Sequence, residues 1–508
     1  MSKNKLLDYL EKLLDYLEKE LNFTFTENGA VARKTTGSDL LNFFSLAGGL
    51  RERAEDEIVR LFDAAFCENP HYAIKALFYF RDIRGGQGER RTFRVILKSL
   101  SHSKASKWLR ENLNLIPEYG RWDDLFVLFD TCLEKDALEL IKNQLRIDYS
   151  AKNPSLLAKW LPSENASSKE SKYQAKKISK FLEITPRSYR KLLSTLRKRI
   201  DVLERIISSN QWDKVDYERV PSQANVLYRN AFRRHDGDRY NSFLESVKKG
   251  ERTIKAGVLY PYDIVRKCIE VDSDKDKNSL DALWNALPDY LEGTQENAIV
   301  VADTSASMTS NNFLPLSISI SLAIYAAERN KGVFHNKFIT FSESPELQTV
   351  KGRTIVDKVR NLSKAAWNMN TNVEAVFDII LNIAVEKKLS QEEMVKKIYI
   401  VSDMEFDNCA KATSEYIHSR NKIKETLFET IRNRYEKAGY KMPLLVFWCV
   451  NGRNNQFPMS MDDRGFINVS GASASIFTKL IKNEFLDAYS FMIEVLDSPR
   501  YERVNYNE

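Results

Sequence analysis

Two hydrophobic periodicities divide this chain of 508 residues. From about Asp39 to Asp289, apolar residues recur three and four positions apart, in Glu55–Phe66, Ala73–Arg81, Arg91–Leu100, Leu125–Leu145, Ser188–Ile207 and Ser222–Phe232. That spacing lines one face of a helix. Asn69-Pro70, Gly85-Gly86, Pro117 and Pro162 punctuate the series where the chain must turn. The alternation of helices and turns, without a strict repeat length, predicts a curved stack of helix pairs, the way many helices in series bury their inner faces. Ahead of it, Lys5–Glu11 is repeated residue for residue as Lys12–Glu18. A seven-residue period of leucines and tyrosines predicts an amphipathic helix, docked on its own domain or used for self-association.

The period changes near Gly293. Short β-branched runs at Ala298–Ala302, Lys337–Phe341, Leu347–Val350, Lys397–Val401, Leu444–Val450 and Phe466–Val469 now alternate with helical stretches at 314–328, 372–386, 422–438 and 475–481. Alternating β and α predicts a doubly wound, mostly parallel sheet. The expected organisation is an N-terminal helix and linker (1–38), an α-helical repeat domain (39–293), an α/β domain (294–497) and a polar tail (498–508). The fold class is therefore multidomain, α plus α/β.

Composition adds limits. Hydrophobic residues make up 43% and charged residues 29%, ordinary for a globular protein. No apolar run approaches the roughly 20 residues that span a bilayer. Cys67, Cys132, Cys268, Cys409 and Cys449 are scattered and show no CxxC spacing, which predicts a reducing, cytoplasmic setting and argues against disulfides or zinc. The net charge of +7 is mild, but residues 151–200 hold 13 Lys and Arg against 3 Asp and Glu. This one segment carries more than the excess of the whole chain.

The most specific chemistry lies at the strand ends. Ile299-Val300-Val301-Ala302 runs into Asp303, followed by Ser305 and Ser307, and Ile398-Tyr399-Ile400-Val401-Ser402 runs into Asp403. In a doubly wound sheet of order 3-2-1-4-5-6 the first and fourth strands flank the switch-point crevice where ligands bind. Asp303 and Asp403 are therefore expected across one crevice, with both serine hydroxyls on the turn beside it. Carboxylate and hydroxyl oxygens suit a hard cation, Mg²⁺ or Mn²⁺, and so few ligands leave a position for an acidic group from a partner. The competing assignment has the serines capping the next helix and Asp403 making an Asx-turn.

This arrangement resembles the von Willebrand factor A domain and its metal-ion-dependent adhesion site. The resemblance implies a ligand set of Asp303, Ser305, Ser307, Thr371 and Asp403, with Thr371 lying in Asn368-Met369-Asn370-Thr371-Asn372 without the glycines that often precede it. Further stretches, Arg81–Arg90, Tyr119–Leu125, Trp160–Ser163, Val220–Ser222 and Phe232–Asp236, together with that domain resemble a family of unknown function similar to the Ro (TROVE) ribonucleoproteins. That resemblance covers about Asp39 to Ile481 and implies a HEAT-like ring of helices that binds structured or non-coding RNA.

Basic residues give the RNA expectation a physical basis. Gly85–Gly88, with Arg81, Arg84, Arg90 and Arg91 beside it, offers backbone N–H groups that could cradle a phosphate, or forms a plain turn between helices whose arginines pair with Asp82 and Glu89. It is not a Walker A loop, because no Gly-Lys-Ser/Thr follows. In the segment 169–199, Lys176, Lys177 and Lys180 precede Arg187, Arg190, Lys191, Arg197 and Lys198, whose spacing predicts one basic helix face that neutralises phosphates. Tyr173, Phe181 and Tyr189 are placed to stack on unpaired bases. Arg233 and Arg234 extend the basic set, and the adjacent His235 is read as structural. With no nucleophile–base pair or second metal cluster, the expected protein is not an enzyme. It is expected to bind RNA and to dock an acidic partner through a metal; the alternative is a metal-dependent interaction scaffold without nucleic acid.

Overall fold

The computed structural model describes residues 22–25, 31–200, 203–270, 273–292, 297–340, 345–363, 373–404, 427–461, 463–482 and 487–506. The Lys5–Glu18 heptads and Thr371 lie outside these residues. The chain forms two compact units, one helical (Ala54–Leu259, Asn278–Pro288 and the residues from Leu496 on) and one built on a sheet (the residues up to Arg53, Tyr260–Lys277 and Asp289–Val495). Among the described residues, no helix is long and apolar enough to cross a membrane.

In the helical unit, the helix Pro70–Arg81 is the buried centre. Asn69 caps it, its side chain accepting from Tyr72 N at 3.2 Å, and Pro70 supplies the preset φ of a first turn. Every residue from Ala73 to Arg81 is buried. Arg81 ends the helix inside the core, where its Nη2 lies 2.7 Å from Asp124 Oδ2. Asp124 also accepts from Arg94 Nε at 2.7 Å and from the backbone N–H of Arg121 at 2.9 Å. The Tyr119–Leu125 stretch thus serves a buried charge, satisfied on several sides as such a charge must be. Gly120 is required there, because a Cβ would collide with Asp124 and Arg81.

Three expectations for this unit change. The helix foreseen over Leu125–Leu145 is a 3-10 turn, Trp122–Leu128, followed by the helix Glu134–Ser150, with Asp130 left-handed (φ 64°) between them. Over its described residues, 498–506, the expected polar tail is not loose. Tyr501 and Val504 are buried, and the Arg500 guanidinium and Tyr501 hydroxyl both bond Asp82, itself fully buried. Helices Asp39–Leu46 and Pro261–Ile269, read as part of the helical domain, belong to the sheet unit.

The sheet unit contains β1 (Ala298–Ala302), β2 (Lys337–Thr340), β3 (Leu347–Thr349), β4 (Lys397–Ser402), β5 (Leu444–Cys449) and β6 (Phe466–Ser470). They lie in the order β3-β2-β1-β4-β5-β6, with β3 antiparallel to β2 and the other pairs parallel. Ile299–Ala302 and all of β4 are buried, which is why neither strand alternates polar with apolar. The helix Ser310–Arg329 is buried at every residue from Pro315 to Ala327. It packs on β1 and β4 and is also in contact with Pro261–Ile269. At the other side of the sheet, Asp39–Leu46 lies on β6. The turn after it comes so close to the backbone at Ser470–Gly471 that only glycine fits at Gly48.

Candidate functional site

The pairing of β1 with β4 fixes the candidate metal centre. Ala302 is in register with Val401, and the Asp303 N–H donates to Val401 O at 3.1 Å, extending the pairing one residue past the strand end. Asp303 and Asp403 therefore leave adjacent central strands at the same carboxyl edge, and both are buried, at 2% and 3% exposure. Asp303 Oδ1 accepts from the Ser305 N–H at 2.8 Å, and its Oδ2 accepts from the Ser402 hydroxyl at 2.7 Å. These bonds orient the carboxylate. They do not offset the cost of its charge: burial and the neighbouring Asp403 charge push the Asp303 carboxyl up to about 6.

Ser305 and Ser307 stand as the alternate spacing requires, their hydroxyls 3.0 Å apart. They do not cap the long helix. The short 3-10 turn Ala306–Thr309 has no side-chain cap from Ser305, and Asn311, Asn312 and Phe313 then follow in the left-handed region (φ 49°, 52° and 60°). The regular helix starts only beyond them, at Leu314 and Pro315, with proline in its first turn. A chain held left-handed at three successive non-glycine residues costs energy at each one.

Among the described residues, two more belong to the site. Ser402 is the last residue of β4, donating to Asp303 while its Oγ accepts from the Met404 N–H at 3.0 Å. Arg453, in the turn after β5, places Nη2 3.1 Å from Asp403 Oδ2. The signal for both is positional: loops at the carboxyl ends of central strands share one crevice. Among the described residues, no group of three or more His, Cys, Asp or Glu side chains that could hold a metal ion is found, at this site or elsewhere, so a cation here would rest on two carboxylates and on hydroxyls. The donor set here is two carboxylates and hydroxyls, all hard oxygens. Burial and the Asp403 charge raise the proton affinity of Asp303, which calls for added positive charge, so the residues fit a hard divalent cation.

The basic residues divide into exposed and engaged groups. Lys176, Lys180, Arg187, Arg190, Lys191 and Lys198 are exposed on the helices Lys169–Phe181 and Pro186–Ile200. Arg197 does not share that face. It is half-buried and donates to the carbonyls of Ala158 (2.8 Å) and Leu161 (2.7 Å) and to the Ser163 hydroxyl (3.0 Å), so the Trp160–Ser163 stretch is what it holds. Lys177 is paired with Asp130 and Glu134, each at 2.5 Å. Tyr189 is fully buried, with its hydroxyl on Pro162 O, and cannot stack on a base. Tyr173 stays exposed, its hydroxyl on Asp130, and Phe181 lies beneath Lys142.

The glycine stretch resolves as a turn. Three successive N–H groups at its end bond internally, Gln87 to Tyr79 O (3.2 Å), Gly88 to Asp82 O (3.1 Å) and Glu89 to Phe80 O (2.6 Å), as the plain-turn alternative expects. Arg84 and Arg90 flank it in solvent. Arg233 is half-buried and Arg234 exposed, while His235 stacks on Trp212 with ring centres 4.6 Å apart.

Comparison with known proteins gives two matches to domain families and one relative. Residues 297–502 match a domain of unknown function (DUF7788), and residues 26–118 and 157–295 match another (DUF2828). The chain is 29% identical over 517 residues to an uncharacterized protein of Acanthamoeba polyphaga mimivirus, across 94% of this chain and 87% of that one. The two domain matches meet between 295 and 297, beside the change of periodicity near Gly293 and the start of β1. None of these descriptions names a ligand or a reaction, so the chemistry rests on the geometry.

Proposed function

We propose that the sheet unit is a von Willebrand factor A-type domain and that its strand-end site docks an acidic group of a protein partner through a divalent cation. Asp303, Ser305, Ser307 and Asp403 would hold Mg²⁺ or Mn²⁺, and the cation supplies an open coordination position to a carboxylate. Thr371 belongs to the same expected ligand set. One observation carries the reading: β1 and β4 deliver two buried carboxylates to one edge, beside a pair of serine hydroxyls not used for helix capping. The strand order, with its single antiparallel strand β3, supports it. We read the role as docking; among the described residues of the site none sets a nucleophile against a base. Titration calorimetry with Mn²⁺ tests it: the wild type binds, whereas Asp303→Ala and Asp403→Ala do not. An Asp-bearing peptide should be retained in Mg²⁺ and released by chelator. Equal Mn²⁺ binding by all three proteins would end this reading.

A second activity, binding of structured or non-coding RNA by the helical unit as a Ro-like, HEAT-like scaffold, is favoured by a separate observation. Six basic side chains, Lys176, Lys180, Arg187, Arg190, Lys191 and Lys198, stand exposed on two consecutive helices. Such a surface neutralises phosphates without reading sequence. About six contacts predict a fall in affinity of roughly 10³-fold between about 50 and 200 mM salt. Arg190→Glu with Lys191→Glu should abolish a salt-sensitive RNA mobility shift, and Asp303→Ala should leave it intact. Arg197→Ala, by contrast, should lower stability. RNA binding unchanged in the double charge reversal would leave the scaffold reading alone.

A further inference from the structure

Arg453 stands out because a permanently charged side chain already faces the carboxylate that the cation would use. The Asp403 side chain is 2% exposed and that of Arg453 is 34% exposed, so the guanidinium reaches Asp403 from the solvent side. The turn that carries it is pinned. The Val450 N–H donates to Ser402 O at 3.0 Å, which fixes the turn to the end of β4, and the Gly452 N–H donates to Gly49 O at 3.0 Å. Arg53 holds the same turn from outside: its Nη1 donates to the carbonyls of Gly452 (3.1 Å) and Arg453 (2.8 Å), and its Nη2 to Asn455 Oδ1 (3.0 Å). The backbone of the turn is therefore fixed, while the long Arg453 side chain keeps an outlet to water through which it can rotate.

We propose that Arg453 is a tethered counter-cation that closes the strand-end site and competes with a divalent cation for Asp403. This rests on the reading of that site as a metal centre. A guanidinium in contact with Asp403 and a dication on the same carboxylate repel each other across a poorly screened crevice, so the two states exclude each other. Arg453 neutralises one of the two buried charges while the metal is absent. It leaves through its exposed flank when the cation arrives, and its charge is then free at the rim. Divalent-ion concentration is what opens this latch. The apparent affinity for metal is then the intrinsic affinity reduced by the fraction of molecules in which the latch is open.

Mn²⁺ titration of the full chain provides the test, read by calorimetry and by the electron-spin signal of free Mn²⁺. Arg453→Gln should tighten Mn²⁺ binding by about tenfold or more, since it removes a contact charge from a buried site. Arg53→Ala, which loosens the turn without touching Asp403, should give a smaller tightening. Arg453→Lys retains a cation without the planar fork and serves if the glutamine variant fails to fold; it should also tighten binding, by less. In chelator, Arg453→Gln should melt earlier than the wild type, and the difference should vanish at saturating Mn²⁺. Unchanged or weaker Mn²⁺ binding in Arg453→Gln, with the wild type binding normally, overturns the latch and leaves the metal centre standing. No Mn²⁺ binding by either protein overturns the metal reading and the latch with it.

Discussion

Replacing Asp303 by asparagine should stabilise the metal-free protein at neutral pH while abolishing metal binding. In the fold, burial and the Asp403 charge hold the Asp303 carboxyl at about 6, against 3.8 in its ordinary state. Its protonated form is therefore the favoured one below about pH 6, and at neutral pH the group is buried charged. The associated stability is fully present below about pH 4 and is lost as the pH rises through about 6. A shift of about 2 units corresponds to about 3 kcal/mol at neutral pH. Asparagine removes that penalty but gives up one acceptor. Its amide nitrogen would face the Ser402 hydroxyl, which already accepts from Met404 N and would turn to accept again, stranding its own proton. That costs about 1 kcal/mol, leaving a net gain of about 2 kcal/mol. Calorimetry from about pH 4 to about pH 8 checks this by following the transition that moves when Mg²⁺ is added. In chelator the wild type should lose stability across this range and Asp303→Asn should not. With Mg²⁺ the wild type should recover and the variant should not respond. A wild type whose stability is flat with pH in chelator, or an Asp303→Asn protein less stable than it at neutral pH, refutes the argument that an uncompensated charge is buried there.

Two other predictions concern the helical unit. Asp124→Ala strands Arg81, which is 2% exposed, and should cost about 3–5 kcal/mol in urea denaturation of that unit, with Mn²⁺ binding retained. Deleting 498–508 removes the buried Tyr501 and the Arg500 pairing to Asp82; loss of the tyrosine's burial alone predicts a cost of about 2 kcal/mol or more, read as faster proteolysis of that unit.

The site was legible to the extent that its chemistry is local. Asp303, Ser305 and Ser307 declare themselves because an unbroken β-branched run stops abruptly in a carboxylate and alternate hydroxyls, and Asp403 repeats the ending. Arg453 was not legible, because a lone arginine in a polar turn looks like any surface residue until β5 is placed beside β4. Arg197 and Tyr189 misled in the opposite direction. Helical spacing puts Arg197 on the basic face, but it cannot reveal that three oxygens around Trp160–Ser163 are waiting for its guanidinium. Tyr189 was read as a stacking ring because spacing cannot tell that its hydroxyl finds Pro162 O inside the core. The glycines of Gly85–Gly88 were ambiguous for a related reason: a nest and a turn need the same flexible backbone, and only the acceptors around it differ.

What the amino-acid sequence determined alone was the element type and the edge at which the chemistry gathers. Periods of 3.6 and 2 residues are properties of a single segment, and the carboxyl end of a parallel strand is fixed by chain direction. The tertiary structure decided which segments share a core. Pro261–Ile269 is an amphipathic helix that continues the helical series in sequence, yet it packs on the buried helix Ser310–Arg329. The polar-looking 498–506 closes the helical unit through Asp82. An apolar face states only that it must be covered; what covers it depends on distant segments, and that information is absent from local spacing.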